Sequence, residues 1–381
     1  MKNNNKIAVV IPAYKAQNTI QKLYASLYIQ KEVEYKVFVV NDNPGDTEES
    51  YKPNVDIDWE FIDTEKNEGP GVARNKGLDA AIAQGFPFVT FIDADDVLYD
   101  SYSLYKLQNA ITKTPNCIES MGLFLSPIQT PEGIQFMPRG GQNDAFHPWV
   151  FGRLYVTQFL KDNGLRLHHI RAMEDSYLQT TTRLLIEGTP LQVAVLNDPV
   201  YLWNEGSEHS ITRTGTDIND GIPIYNYGLC QLGAAVAYRD ALDFANKKNP
   251  FSPSVIRMAS ELLVDKYFTY YETVDKCPKY AKQADWVARY FYHNCFEKYC
   301  KNVTEDVLND IYKSMIGRLS TFDKLPTKTF EEWFSDIQKT EVPTIQELKD
   351  IRNKLPSNII EAELMTGVVT EDISEFFEED I

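Results

Sequence analysis

The chain has 381 residues and a formal net charge of −17 at pH 7, with 43% hydrophobic and 12% aromatic residues. This apolar content is enough for packed cores, so a globally disordered chain is excluded, and the length suits about two domains. The acidic excess opposes nonspecific attraction to nucleic acid or anionic lipid, which disfavours a nucleic-acid partner without excluding a local basic groove.

The cysteine count and the apolar runs indicate the compartment. The five cysteines form no CxxC pair, and their odd number indicates reduced thiols in a cytosol-like environment. Only a short apolar run precedes Pro12, which is too short for a signal peptide. No segment approaches the roughly 20 apolar residues that span a bilayer. We therefore predict a soluble, cytoplasmic protein without a transmembrane segment.

The first hundred residues alternate strand-like and helix-like patterns. Short apolar, β-branched runs predict buried strands at 6–11, 36–41, 59–62 and 86–92. Amphipathic helices are expected between them, including one over 72–84 with Gly85 just beyond its end. This alternation predicts an α/β fold whose mainly parallel, Rossmann-like sheet is flanked by helices on both faces.

The remainder of the chain is mixed at first and then helical. The predicted elements are a helix near 103–113, a strand at 117–125, a turn-rich stretch over 127–141, helices over 148–160 and 174–187, and a strand over 191–196. Beyond Thr216, amphipathic segments of helical period are separated by prolines. We therefore predict an α/β domain over 1–215, a helical domain over 216–356, and an acidic terminal helix or tail over 357–381.

Polar or conformationally special residues follow three of the predicted strands. They are Pro12-Ala13-Tyr14, Asn41-Asp42-Asn43 and Asp93-Ala94-Asp95-Asp96. In open parallel sheets, ligands bind at the carboxyl ends of the strands. The carboxylates of Asp93, Asp95 and Asp96 are close enough in sequence to repel one another unless a cation or strong hydrogen-bond donors compensate. FIDADD therefore predicts either a divalent-metal site or a strand that runs out into a solvated acidic loop.

Two further signals are weak when each is taken alone. Asp42 can accept a hydrogen bond from a nucleotide base, or it can form an Asx turn into Pro44-Gly45. NEGPGVARN (67–75) places two glycines ahead of a helix, as a phosphate-cradling loop does, but it can equally be a plain helix entry. Arg74 can pair with a diphosphate or lie on a solvated face.

Taken together, VVIPAY, VVNDNPGD, NEGPGVARN and FIDADD resemble glycosyltransferase family 2, which has the GT-A fold. The family pattern is a strand ending in P-x-Y, a strand ending in D-D-x-S, then N-x-G-x-x-x-A-R-N, then a strand ending in D-x-D. Order and spacing match over residues 6–96, and this conjunction is more specific than any single motif. The chain departs from the pattern at Asn41, where Asp is usual, and at Pro44, where Ser or Gly is usual.

The resemblance continues more loosely to about residue 213. HPWVFGRLYVTQFL is similar to a family segment on the acceptor side, MED (173–175) to the x-E-D signature, and YLWNEGSEHSITRT to the end of the catalytic domain. By this resemblance Asp175 is the catalytic base and His209 is a metal ligand. From the residues alone, the helix dipole can also favour Glu174-Asp175 at a helix start, and a single histidine is more often a capping or surface residue.

The resemblance implies an inverting, metal-dependent glycosyltransferase that moves a sugar from a nucleoside-diphosphate sugar, expected to be a UDP-sugar, to an acceptor hydroxyl. Asp95 and His209 would bind Mn²⁺ or Mg²⁺, hard cations that favour carboxylate and phosphate oxygens. Asp93 would orient the donor ribose or sugar, and Asp96 would brace the following turn. The implied donor-binding residues are Pro12, Ala13, Tyr14, Asp42, Asn67, Arg74, Asp93, Ala94 and Asp95.

Two other functions stay open on the sequence. A sugar-1-phosphate nucleotidyltransferase shares the sheet and the carboxylate–metal chemistry, but PAYKAQNT lacks a glycine-rich loop with Arg and Lys for a triphosphate. A noncatalytic nucleotide-binding or interaction scaffold would use the helical domain as its interaction module; the intact Asp93, Asp95 and Asp175 argue against it. The acceptor is expected to be a saccharide or another hydroxyl-bearing molecule, and the helical domain can support an oligomer.

Overall fold

The computed structural model describes residues 5–130, 133–140, 147–204, 218–219, 222–223, 227–355 and 376–377. The chain divides into two compact units, Met1–Ser207 and Glu208–Ile381. The predicted domain limit at 215 and nearly all of the predicted tail over 357–381 lie outside the described residues. The three predicted domains and their roles therefore stay predictions.

The first unit is built on one mixed sheet. Its strands are β1 (Ile7–Ala13), β2 (Tyr35–Asn41), β3 (Trp59–Asp63), β4 (Phe88–Phe91), β5 (Val97–Leu98), β6 (Cys117–Thr130), β7 (Gly133–Arg139), β8 (Arg153–Val156) and β9 (Gln192–Leu202). Their order is β3-β2-β1-β4-β8-β6-β9-β5, with β7 paired to β6. Strands β1 to β4 run parallel to one another, and so do β6 and β9, whereas β8 pairs antiparallel with β4 and β6.

The register aligns the strand ends that carry the motifs. Ala13 of β1 lies opposite Asn41 of β2, and Val10 lies opposite Phe91 of β4. Nearly all of β1 and the second half of β2 are buried, as expected for continuous apolar strands covered on both faces. The residues that follow β1, β2 and β4 therefore emerge at the same edge of the sheet.

Five α-helices accompany the sheet in the part of the first unit that the structure describes. They are α1 (Ile20–Tyr28), α2 (Pro70–Ala83), α3 (Ser103–Lys113), α4 (Thr157–Asn163) and α5 (Glu174–Ile186). Helix α1 buries Ile20, Leu23 and Leu27, which are spaced at helical period. Helix α2 ends where predicted, since Gly85 adopts the left-handed conformation with φ of 75° just past its C-cap.

Helix α2 approaches β1 closely at Gly77. A methyl group added there would lie 2.3 Å from Cγ1 of Val10. We expect Gly77→Ala to lower the free energy of unfolding. Overpacking usually costs about 1–3 kcal/mol and the helix preference of alanine offsets about 1 kcal/mol of it, so the expected net loss is up to about 2 kcal/mol. Denaturant unfolding followed by fluorescence would measure this, with Gly317→Ala as the control because nothing lies within 4 Å of its added methyl group. Equal unfolding midpoints for the two variants would show that α2 moves away from β1 at little cost.

Two predictions for the middle of the chain were wrong in detail. The helix predicted over 148–160 is instead strand β8 followed by α4, because Arg153–Val156 pairs with both β4 and β6 and the helix begins only at Thr157. A short apolar run cannot by itself distinguish a buried strand from a buried helix. The stretch predicted as turn-rich over 127–141 contains strand β7, which pairs with the second half of β6.

The second unit is helical. Its elements are β10 (Ile218–Asn219), β11 (Ile222–Pro223), α6 (Tyr227–Lys248), α7 (Pro253–Lys276), α8 (Ala281–Phe291), α9 (Glu297–Tyr299), α10 (Glu305–Met315), α11 (Phe330–Ile337) and α12 (Ile345–Arg352). Large aromatic side chains such as Tyr267, Phe268 and Trp286 are fully buried within it. Across the ranges that the structure describes, no helix combines the length and apolarity that a bilayer span requires.

Candidate functional site

The site lies where β1, β2 and β4 end. Pro12 and Ala13 are the last residues of β1, and Tyr14 follows with 41% of its surface exposed. The amide of Asp42 donates to the carbonyl of Ala13 at 2.8 Å, which joins the ends of β1 and β2. Asp93 follows β4 after Ile92, whose amide bonds the carbonyl of Val10. The structure thus brings together the three strand ends on which the sequence motifs lie.

Asp42 is buried and holds the loop that enters α2. Its carboxylate accepts hydrogen bonds from the amides of Glu68 (2.8 Å) and Gly69 (2.7 Å) and from the hydroxyl of Thr64 (3.1 Å). Burial raises the pKa of Asp42, while these amides favour its ionised form. The local turn after β2 is made instead by Asn41, whose side chain exchanges hydrogen bonds of 3.1 Å with the backbone of Asn43.

The three aspartates after β4 have different environments. Asp96 is 2% exposed and accepts hydrogen bonds from the hydroxyl of Tyr201 (2.5 Å) and the amide of Asn204 (2.6 Å), so it braces the turn. Burial, and then the charges of Asp95 and Asp93, raise the pKa of Asp96 well above its usual value. Asp93 and Asp95 are only half-buried. The solvated alternative for FIDADD therefore does not describe Asp96.

A divalent cation fits the chemistry of this strand end. Among the residues that the structure describes, no three His, Cys, Asp or Glu side chains form a complete metal cage. A nucleotide-bound Mg²⁺ or Mn²⁺ needs only one or two carboxylates, because phosphates and water complete its shell. Asp95 supplies such a carboxylate, and a cation there would offset the charges of Asp95 and Asp93, which add to burial in raising the pKa of Asp96. His209 lies outside the described residues, so its role as a second ligand stays a prediction.

Tyr201 connects β9 to the acidic turn. Its hydroxyl donates to Asp96 and also accepts a hydrogen bond from the amide of Asp93 at 3.2 Å. We expect Tyr201→Phe to lower the free energy of unfolding by about 1–3 kcal/mol, because it leaves the buried Asp96 short of a donor. Denaturant unfolding measures the effect, with the half-buried Tyr35→Phe, which loses a bond to the carbonyl of Leu27, as the comparison. A loss for Tyr201→Phe no larger than that for Tyr35→Phe would contradict the bracing role.

Arg74 joins the end of β4 to the start of α5. Its side chain is 7% exposed and donates to Asp93 at 2.6 Å and to Glu174 at 2.5 Å. These two carboxylates raise the pKa of the Arg74 guanidinium against the opposing effect of burial, so it stays charged. Arg74 was predicted to bind a donor diphosphate, and the structure places it in contact with carboxylates of the protein.

Asp175 is the second residue of α5 and is half-buried. Its Oδ1 accepts a hydrogen bond from the amide of Ser176 at 2.8 Å. Burial and the neighbouring Glu174 raise the pKa of Asp175 well above its usual value, although Arg74 acts in the opposite direction. A carboxylate whose pKa is raised toward neutrality is suited to accept a proton from a hydroxyl group.

Sequence reasoning missed the segment that precedes Asp175. Arg171 donates two hydrogen bonds to Asn67, one to the side-chain oxygen (2.6 Å) and one to the carbonyl (3.0 Å). The two residues are 104 positions apart, so neither periodicity nor motif spacing could indicate the contact. Asn67 is therefore bound to the protein itself in this structure.

Comparison with known proteins finds similarities that include the first unit. Residues 8–145 match the family model described as glycosyl transferase family 2. Glycosyltransferase GlyA of Streptococcus pneumoniae serotype 4 is 27% identical over 240 residues, which cover 56% of this chain and 32% of that protein. Teichoic acid poly(glycerol phosphate) polymerase of Staphylococcus epidermidis is 31% identical over 243 residues, which cover 58% of this chain and 32% of that protein. The match thus spans about a third of the length of these relatives.

A solved structure has the same fold. The crystal structure of TarS from S. aureus matches with a TM-score of 0.50 at 17% identity, over 82% of this chain and 54% of that one. At this identity the likeness concerns the fold alone. Together with the strand order, it confirms the predicted class, an α/β sheet of the GT-A type with flanking helices and a helical C-terminal region.

Proposed function

We propose that the protein transfers a sugar from a UDP-sugar to an acceptor hydroxyl with inversion, because residues 8–145 match the family model described as glycosyl transferase family 2. The observation that most supports this proposal is the position of Arg74, whose guanidinium contacts both Asp93 and Glu174. It keeps the acidic end of β4, where a donor would bind, next to the start of α5, where Asp175 would serve as the base. Donor and acceptor chemistry can therefore occur at one edge of the sheet.

On the donor side, the proposed contacts follow the strand ends. Pro12, Ala13 and Tyr14 would line the nucleotide, and Asp42 would accept a hydrogen bond from the base. A carboxylate has about four lone-pair sites, and three are used by Glu68, Gly69 and Thr64, which leaves one for this purpose. Asp93 and Ala94 would contact the ribose or the sugar. Asn67 and Arg74 instead contact Arg171, Asp93 and Glu174 of the protein itself.

The proposed metal ligands are Asp95 and His209. Mn²⁺ or Mg²⁺ held there would neutralise charge on the diphosphate leaving group. Asp95 also has a charge role in the protein itself, because it is one of the groups that raise the pKa of Asp96. Because the metal would bind the diphosphate of the donor, metal dependence would appear both in donor affinity and in turnover.

On the acceptor side, Asp175 would accept the hydroxyl proton as the acceptor oxygen forms its bond to the anomeric carbon. The bond from that carbon to the diphosphate breaks on the opposite side, and the nucleoside diphosphate leaves with the electron pair. Glu174 cannot easily share this role, because it is buried and paired with Arg74. The acceptor would be a saccharide or another hydroxyl-bearing molecule.

A panel of nucleotide sugars tests the proposal. Thermal unfolding would be followed with UDP-, GDP-, ADP- and CMP-sugars, each with Mn²⁺ and with EDTA. A ligand at about 100 times its Kd stabilises the folded state by about 2.7 kcal/mol, which is readily measured as a rise in melting temperature. We expect UDP-sugars with Mn²⁺ to give the largest rise. A larger rise with another nucleotide would overturn the UDP assignment, and no rise with any donor would favour the noncatalytic scaffold.

A further inference from the structure

The motif Asn67–Asn75 contacts one distant segment of the chain, residues 165–175, which we call the base-bearing segment because it ends at Asp175. Asn75 gives the clearest contact. Its side-chain amide donates to the carbonyl of Leu167 at 2.8 Å, and its oxygen accepts from the amide of Leu167 at 2.9 Å. Asn75 is 8% exposed, so these two bonds satisfy both ends of a buried amide.

The glycines of the motif have a packing role toward the same segment. A methyl group added to Gly71 would lie 2.1 Å from the carbonyl oxygen of His168 and 3.1 Å from Cγ of Glu174. One added to Gly69 would lie 3.4 Å from Cγ of Arg171. Only glycine at position 71 lets the base-bearing segment lie this close to the start of α2. That side of the loop is covered by protein.

Two arginines, one in the motif and one in the base-bearing segment, add further contacts. Arg171 of the base-bearing segment donates both of its bonds to Asn67. Arg74 of the motif donates to Glu174, the residue next to Asp175. Asn67, Gly71, Arg74 and Asn75 therefore all touch the base-bearing segment, at points spread over its length from Leu167 to Glu174.

We infer that NEGPGVARN in this protein holds the base-bearing segment in place, and that Asn67, Arg74 and Asn75 are positioning residues for Asp175. This replaces the donor-binding role predicted for Asn67 and Arg74, and it rests on the proposed function only in naming Asp175 as the base. The physical reason is that the start of α5 follows a left-handed residue, Met173 with φ of 67°, so its direction depends on what holds the preceding chain. A small misplacement of a reacting group can cost about 100-fold in rate.

The test variant is Asn75→Ala, whose side chain is buried and bound to Leu167. We expect kcat for sugar transfer to fall by about 10- to 100-fold while UDP affinity, measured by calorimetry with Mn²⁺, changes less than about 2-fold. Hydrogen exchange over residues 165–175 should become faster. Asn67→Ala, which releases Arg171 at a half-buried position, should act in the same direction if Asn75→Ala folds poorly.

The matched control is Asp79→Ala. Asp79 also links α2 to the base-bearing segment, through Arg166 at 2.8 Å, but it is exposed, and exposed pairs contribute little. We expect Asp79→Ala to leave kcat, UDP affinity and hydrogen exchange close to those of the wild type.

A double mutant decides whether Asn75 acts through Asp175. If it does, Asn75→Ala should cause no further rate loss when Asp175 is already Asn, because the two changes remove the same contribution. Additive losses, or a loss of UDP affinity as large as the loss of kcat, would overturn the positioning role. Unchanged hydrogen exchange over residues 165–175 in Asn75→Ala and Asn67→Ala would show that the motif does not hold the base-bearing segment in place. Full transfer activity of Asp175→Asn would instead contradict the proposed base. The hydrogen-exchange result would still decide whether the motif holds the base-bearing segment in place.

Discussion

Asp175→Asn should lower the rate of sugar transfer by a factor of about 10² to 10⁴, the usual contribution of a positioned general base. Donor affinity should barely change, because the side chain would contact the acceptor hydroxyl and not the nucleotide. The local structure should survive, since an Asn oxygen can still accept the hydrogen bond that the amide of Ser176 now donates to Asp175. Steady-state kinetics with a fixed acceptor, together with calorimetric titration of UDP, would separate the two effects.

The pH dependence adds a second, independent expectation for Asp175. Its pKa is raised in the folded protein, so the folded state binds that proton more tightly than the unfolded state does. The stability from this group is present at low pH and is lost as pH rises through the folded pKa. Replacing Asp175 by the neutral Asn removes that loss, so the melting temperature near neutral pH should be unchanged or higher. A transfer rate near that of the wild type would show that another group accepts the proton.

Asp95→Asn should abolish the part of UDP binding that depends on Mn²⁺, and transfer with it. A neutral amide is a poorer ligand for a hard divalent cation than a carboxylate. The ligand-free protein should be as stable as the wild type or more stable, because the charge of Asp95 raises the pKa of the buried Asp96 and its removal relieves repulsion. Calorimetric titration of UDP with Mn²⁺ and with EDTA, beside thermal unfolding, measures both effects.

The control for Asp95→Asn is Asp58→Asn, which removes one carboxylate from an exposed pair with Lys6 in the same unit. It should leave UDP binding and its response to Mn²⁺ unchanged. If Asp95→Asn still binds UDP more tightly with Mn²⁺ than with EDTA, by the same factor as the wild type, FIDADD does not hold the metal.

The parts of the fold that could be predicted are those with local signals. The strands β1, β2 and β4 are continuous apolar runs and the end of α2 has its glycine, so their positions follow from sequence. Strand β8 could not be placed, because Arg153–Val156 is a strand only through its pairing with β4 and β6. The same limit applies to β7, which lies within the stretch predicted as turn-rich and is a strand through its pairing with β6.

The candidate site likewise has features that the sequence predicts and features that it does not. The family match to residues 8–145 confirms the resemblance read from the four motifs, and the strand ends that carry Ala13, Asp42 and Asp93 do converge. The partners of Arg74 and Asn67 could not be predicted, since Glu174 is 100 residues from Arg74 and Arg171 is 104 from Asn67. The roles of the individual residues stay predictions.

Identification of the released product tests the central claim most directly. The protein would be incubated with Mn²⁺ and the sugar nucleotide that stabilises it most in the panel, with and without candidate acceptors, and the products would be resolved by mass spectrometry. Sugar transfer predicts release of a nucleoside diphosphate, faster with acceptor than without, and much slower in Asp175→Asn. A parallel reaction with a sugar 1-phosphate and a nucleoside triphosphate should release no pyrophosphate. Pyrophosphate release there, with no nucleoside diphosphate formed in the first reaction, would contradict glycosyl transfer and identify a nucleotidyltransferase.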